Sequence, residues 1–245
     1  MMKRLIIFCA MVIGALYSFA QSGESEMTAL RNWNAGTQVS AGSVEKFGID
    51  RCFTESEITP AIFNRIKGKS FADGCTTPLS DLRYLKVLHT DAEGRILLGE
   101  IICNKEISGD LLDIFRELFN AGYPIERMTL IDNYGADDQA SMTANNSSAF
   151  NFRYVSGTRK LSNHSRGLAI DINPFYNPYV RRLNSKSPVV EPAAAAPYAD
   201  RSKPSAYRLT KGDLCHRLFI SRGFIWGGDW KTVKDYQHFE KKTAK

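Results

Sequence analysis

The sequence predicts an α+β domain in which helices pack on an antiparallel sheet. Three observations carry that expectation. Residues 82–90, LRYLKVLHT, and 95–103, RILLGEIIC, are apolar stretches on either side of DAEG at 91–94, the pattern of a β-hairpin. Residues 111–121, LLDIFRELFNA, place Leu111, Leu112, Phe115, Leu118 and Phe119 on one helical face, with Ser108 as cap and Gly122 as stop. IERMTLID at 125–132 reads as a further strand, and 168–172 as another entered through a turn.

The remaining elements follow in order. Residues 1–20 hold a basic start at Lys3 and Arg4, an apolar run at 5–17 and a small-residue pattern at Ser18 and Ala20, which together predict a signal peptide cleaved after Ala20. The apolar run is shorter than the roughly 20 residues of a membrane span; a lipid anchor at Cys9 is the alternative. Residues 21–80 read as an N-terminal extension, loose and Gly/Ser-rich over 21–50 and helical over 58–68. Residues 81–245 form the main domain. Within it, 133–148 is expected as a polar loop beside a cleft, 176–207 as a long surface loop, and 212–222 as a helix ended by Gly223. The last segment is expected to close the sheet.

Charge and cysteine content narrow the class. The chain has 32 Lys and Arg against 26 Asp and Glu, and removing 1–20 takes away two bases and no acids, leaving 30 minus 26, or +4. No long basic run with interleaved aromatics exists, so nucleic acid is not an expected partner. Export permits disulfides, and Cys52, Cys75, Cys103 and Cys215 allow three pairings, Cys52 with Cys75 being the one that would tie down the extension.

The chemistry resides in two segments, SNHSRGLAID at 162–171 and DYQHFE at 235–240. They supply two His and two carboxylates, a set suited to a hydrolytic zinc centre with three protein ligands and an open position. His164, Asp171 and His238 are the candidate ligands. The seven positions from His164 to Asp171 put them on opposite faces of a straight strand, so the chain must bend, and Gly167 is placed to permit it. Asp235, three positions before His238, is the candidate proton carrier, and that spacing predicts a turn at 234–237. Asp229 and Glu240 are held in reserve for the same task. His89 and His216 read as packed or solvated residues, Ser162 as a local hydrogen-bonding residue. Trp226 and Trp230 either wall the cleft or join the core.

The pattern S-x-H-x-x-G-x-A-x-D at 162–171, with WGGDW at 226–230 and D-x-x-H at 235–238, resembles the zinc D-alanyl-D-alanine carboxypeptidase family, whose relatives include L-alanyl-D-glutamate endopeptidases. The resemblance spans roughly 81–240 and implies a hedgehog/D-Ala-D-Ala peptidase-like fold. It also implies Zn2+ as cofactor and a peptidoglycan stem peptide as substrate. The ligands it implies are His164, Asp171 and His238, with Asp235 as acid/base where many relatives have Glu. An upstream arginine, best matched by Arg153, would stabilise the oxyanion or hold the substrate carboxylate. The site implied is exported, in the periplasm or outside the bacterial cell.

Three alternatives are weighed against a D-Ala-D-Ala carboxypeptidase. An L-Ala-D-Glu endopeptidase would keep the same metal chemistry. A serine carboxypeptidase would need S-x-x-K, S-D-N and K-T-G; residues 43–46 match the first in form, and the others are absent. A non-catalytic zinc or cell-wall binding module would have no use for Asp235.

Overall fold

Asp91 closes the central hairpin: its carboxylate accepts from the Glu93 and Arg95 amides at 3.1 and 2.9 Å, and Gly94 takes the left-handed φ of 75°. The strands it joins pair in register from Leu82↔Asn104 to Thr90↔Ile96. The computed structural model describes residue 21 and residues 23–155, 158–182 and 188–242. In chain order these form α1 (23–32), β1 (Gln38–Val39), α2 (Ala41–Phe47), β2 (Thr54–Glu57), α3 (Pro60–Ile66), β3 (Leu82–Thr90) and β4 (Ile96–Asn104). There follow α4 (Lys105–Asn120), α5 (Asp138–Thr143), β5 (Ala169–Asp171), β6 (Tyr179–Arg181) and β7 (Val189–Glu191). The last elements are α6 (Leu214–Ser221), β8 (Ile225–Trp226), β9 (Val233–Asp235) and β10 (His238–Glu240). The α+β expectation holds, with antiparallel strand pairing throughout the three sheets.

The first sheet has the order β1-β4-β3-β2, and α4 lies on it through Ile107, Leu111, Ile114, Phe115 and Leu118, all buried. Spacings of four, three and one along α4 keep these side chains on one stripe. The helix begins earlier than its sequence suggests. Asn104 caps it by accepting from the Glu106 amide at 3.0 Å, whereas Ser108 sits inside the first turn and bonds back to the Lys105 carbonyl. Residues 21–50, expected to be loose, are α1, β1 and α2, and Leu30, Trp33, Val39 and Val44 enter the common core.

Residues 125–130 run extended beside β4 without forming a regular strand, and Ile131 and Asp132 already belong to a 3-10 turn, Ile131–Tyr134. Pro124 has no amide to give, and side chains take the ladder positions: Asn146 both accepts from the Thr129 amide and donates to its carbonyl, at 2.9 and 3.0 Å. The 133–148 segment contains α5, and 176–207 contains β6 and β7, so neither is a plain loop. The metal-motif strands also do not close the hairpin sheet. They form a second sheet, β5-β10-β8, beside a third, β7-β6-β9.

The four cysteines among the described residues are free thiols, so the Cys52–Cys75 bridge is not formed; Cys52, Cys103 and Cys215 are buried among apolar side chains. Among the described residues no helix is long and apolar enough to cross a membrane. The expected signal peptide, its cleavage after Ala20 and the alternative at Cys9 lie outside the described residues.

His89 is a packed core residue on β3, its Nδ1–H donating to the Ile125 carbonyl at 2.7 Å while Nε2 meets no partner. Burial, only partly offset by that bond and by Asp91, pushes its pKa down from 6.5 to about 4. The unfolded chain therefore takes up a proton near pH 6.5 that the folded chain refuses until about pH 4. Stability should be fully present above pH 6.5 and fall by on the order of 3 kcal/mol as the pH drops towards 4. Denaturant titrations at several pH values should show His89→Asn with a lower plateau and a flatter acid limb than wild type; parallel limbs would refute the assignment.

Candidate metal centre

The first motif folds as a short turn, Asn163–Arg166, capped by the Ser162 hydroxyl accepting from the His164 amide at 3.3 Å. Ser162 thus plays the local role expected of it. Gly167 ends the turn at φ 67°, and a Cβ there would lie 2.6 Å from the Asn104 amide nitrogen. Its carbonyl accepts from that same amide at 2.8 Å, which fastens the turn to the first sheet. This bend brings His164 and Asp171 to the same side despite their odd separation.

His238 reaches the same point from the second motif, because β10 pairs with β5 in the register His238↔Asp171. The Asp171 carboxylate lies 3.0 Å from His238 Nδ1 and 3.3 Å from His164 Nε2, and the two ring nitrogens are 3.2 Å apart. All three residues are buried, at 7, 6 and 3 % exposure. The outer nitrogens are already spoken for: His164 Nδ1 is 2.6 Å from the Ala149 carbonyl and His238 Nε2 is 3.3 Å from Glu240 Oε2. Neither partner can donate, so each outer nitrogen carries the proton of the neutral ring and each inner nitrogen presents its lone pair. With both rings neutral, two imidazole lone pairs and a carboxylate converge with no donor between them, an arrangement that a metal ion or an added proton resolves. Among the described residues these three are the group placed to hold a metal ion.

The electrostatics agree. Burial raises the Asp171 pKa, yet the two histidines outweigh it and hold the carboxyl well below its usual range. Burial opposes charge on His238 too, but its bonds to Asp171 and Glu240 push its pKa up to about 10. Without metal, a proton occupies the place of the cation.

Asp235 ends β9, next to Tyr179 of β6, and a bend at Tyr236 and Gln237 carries the chain from the third sheet into the second. That bend replaces the expected helical turn; Trp226 fixes it by donating Nε1–H to the Tyr236 carbonyl at 2.9 Å. Gly227 explains the glycines of WGGDW: a Cβ there would fall 2.6 Å from the Asp235 carbonyl oxygen and 3.3 Å from His238 Cβ. Burial raises the Asp235 pKa to about 6, against the lowering effect of His238, and its buried Oδ1 has no hydrogen-bond partner.

A cleft of about 520 Å³ opens over the three ligands and Asp235, and Arg153, Tyr179, Glu191 and Trp230 are among its walls. Arg153 is held at its backbone, which exchanges hydrogen bonds with Ser165 of the metal turn, and its Nε pairs with Asp138. The two tryptophans divide: Trp226 is buried against His216, whereas Trp230 sits with its ring 5.3 Å from that of His238. His216 lies in α6, outside the cleft. Asp229 is drawn off by Lys211 at 2.9 Å, and Glu240 stands behind His238 with its Oε2 accepting from Asn163 Nδ2 at 2.6 Å. Tyr179 and Glu191 went unread because they lie in the stretch expected to be loop. They sit on strands of three residues each, too short to leave a local pattern.

An α+β fold carrying a buried His–Asp–His cluster beside a further carboxylate in an open cleft suits a metallopeptidase. The family model described as D-alanyl-D-alanine carboxypeptidase matches residues 156–241, the stretch that contains all three ligands and Asp235. The match supports the family to which the two motifs point. No curated protein and no solved structure matches the chain.

Substituting Gly167→Ala combines a left-handed φ with a clash against backbone. It should cost about 2–4 kcal/mol, read as a lowered midpoint in thermal or urea unfolding of the metal-free protein. An unchanged midpoint would show that the turn is not pinned on Asn104.

Proposed function

We propose that this protein is a zinc-dependent peptidase of the cell envelope that hydrolyses peptidoglycan stem peptides as a D-alanyl-D-alanine carboxypeptidase. The observation that carries this reading is the convergence of His164 Nε2, His238 Nδ1 and Asp171 on one buried point, in a cleft that also holds Asp235. Two imidazoles and one carboxylate suit Zn2+ and leave a fourth position open. When bound, zinc supplies Lewis acidity, polarising a carbonyl and bringing the pKa of water towards about 7.

The protein's own groups do the rest. Asp235, with its pKa raised to about 6 by burial, is ionised at neutral pH yet basic enough to take a proton from the attacking water and return it to the leaving amine. Arg153 offers a guanidinium to the carbonyl oxygen or to the substrate carboxylate. Trp230 and Tyr179 wall the cleft and limit water around the reacting bond. Export of the chain, as its first 20 residues suggest, would bring it to its substrate.

One observation favours a second reading. Arg153 is already paired with Asp138, so Lys160 is the other base in the cleft wall available to a free C-terminal carboxylate. An L-Ala-D-Glu endopeptidase needs no such partner. Mass spectrometry of a muropeptide ending in D-Ala-D-Ala, incubated with zinc or with chelator, separates the two. Metal-dependent loss of one alanine is the expected result; release at L-Ala-D-Glu would replace the carboxypeptidase by the endopeptidase, and no cleavage despite bound zinc would leave a binding module.

Asp235→Ala should lower kcat by about 10²–10⁴-fold while Zn2+ still binds with wild-type stoichiometry. Undiminished turnover in that variant would remove Asp235 from the reaction. Arg153→Ala should raise KM more for a substrate with a free C-terminal carboxylate than for its amide, which steady-state kinetics on the pair would read.

A further inference from the structure

We propose that Asn163 and Glu240 form a positioning pair that fixes the tautomer and orientation of His238 and couples it to His164. The inference rests on the metal-centre reading and concerns residues that do not themselves touch the ion. Within β10, His238 and Glu240 are two apart and share a face, so the carboxylate can reach the ring edge opposite the one that faces Asp171. Glu240 Oε2 lies 3.3 Å from His238 Nε2, and Asn163 Nδ2 donates to that same oxygen at 2.6 Å. The cross-strand neighbour of Glu240 on β5 is Ala169, fully buried and small, which leaves the carboxylate free to turn towards the histidine.

The consequence follows from imidazole chemistry. A neutral ring carries one N–H, and a carboxylate on Nε2 keeps it there, so that Nδ1 presents its lone pair to the metal. Lacking that acceptor, the ring is free to move its proton to Nδ1, bonded to Asp171, and the ligand set is broken. Asn163 adds a second function. It precedes His164 in the capped turn, so its amide ties the carboxylate behind one histidine to the turn that carries the other. The two ligands come from segments 74 positions apart, and this pair links them across the sheet. It also disposes of Glu240 as a reserve base, since the engaged oxygen faces the outer edge of the ring and not its metal-facing edge.

The test is Zn2+ affinity, measured on the metal-free protein by competition with a chromophoric chelator, together with the visible spectrum of the Co2+-loaded form. Wild type should bind one equivalent. Glu240→Ala should bind about 10–100-fold more weakly and shift the cobalt bands, and Asn163→Ala should do so to a smaller degree. If the pair acts as a unit, Asn163→Ala made in the Glu240→Ala background should add almost nothing. Glu240→Gln keeps a carbonyl acceptor of the same length and should recover most of the affinity, which also covers the case in which the alanine variant folds poorly. Glu117→Ala, at the surface beside Arg222, is the control for a generic loss of charge.

Failure of wild type to bind zinc would overturn the metal-centre reading itself. A wild type that binds while Glu240→Ala keeps its affinity and its cobalt spectrum would overturn only the pair. So would a loss in Glu240→Gln as large as that in Glu240→Ala.

Discussion

Three electron-pair donors pointing at one another from within the protein is a costly arrangement, and the structure around them is organised to hold it. A buried carboxylate beside two imidazoles loses its hydration and regains it only through a shared proton or a shared metal. The strands that impose this arrangement, β5 and β10, are three residues each, too short to persist unaided. They persist because their other face is core. Ile170, paired with Phe239, points away from the ligands, as does Ile172, and all three side chains are fully buried; Phe239 stacks on Phe219 of α6 with ring centroids 4.2 Å apart. The alternation of a strand thus puts hydrophobic anchoring on one side and the candidate metal ligands on the other.

Asn104 joins this small sheet to the large one. Its side chain oxygen caps α4, its backbone amide donates to the Gly167 carbonyl, and its side chain amide donates to the Arg166 carbonyl at 3.0 Å. A single residue at the end of β4 therefore starts the main helix and seats the turn of the first motif. Only glycine fits opposite it, because any Cβ at position 167 would overlap that backbone. The fold and the site are coupled at this contact, which explains why a sequence that defines the site so sharply also needs the hairpin that precedes it.

What could be read in advance differs from element to element for physical reasons. The hairpin and α4 are legible because burial of one face leaves a period in the sequence, 2 in a strand and 3.6 in a helix. The candidate ligands are legible because few residue types bind metal and their spacing is constrained. The start of α4 was misplaced because Asn104 serves strand and helix at once, and a pattern of apolar residues does not register a cap contributed by the preceding strand. The 125–132 segment has the composition of a strand, but its backbone bonds are scattered over Thr90, Glu100 and Ser147, side chains such as Asn146 fill other positions, and a 3-10 turn begins at Ile131, none of which a local pattern reveals. Strands β6 and β7 are three residues long, too short for periodicity to register. The pairing of β6 with β9 depends on contacts far along the chain, and β7 is held only through β6. The cysteines illustrate the remaining limit: the four thiols among the described residues permit three pairings by sequence, yet their positions in the fold leave each of them free.

The position of Asp235 turns on distance. An aspartate is one methylene shorter than a glutamate, so for the acid/base role proposed for Asp235 its backbone has to lie close to the candidate ligands. Gly227 is where that approach is accommodated. The Asp235 carbonyl and Cβ press into the space where any side chain at 227 would begin, at 2.6 and 2.7 Å from an added Cβ, and His238 presses on it as well. The Trp226 ring, hydrogen-bonded to the Tyr236 carbonyl, holds the intervening bend from the other side. The first glycine of WGGDW thus lets the backbone at Asp235 and His238 lie against position 227, an approach that any side chain there would keep out.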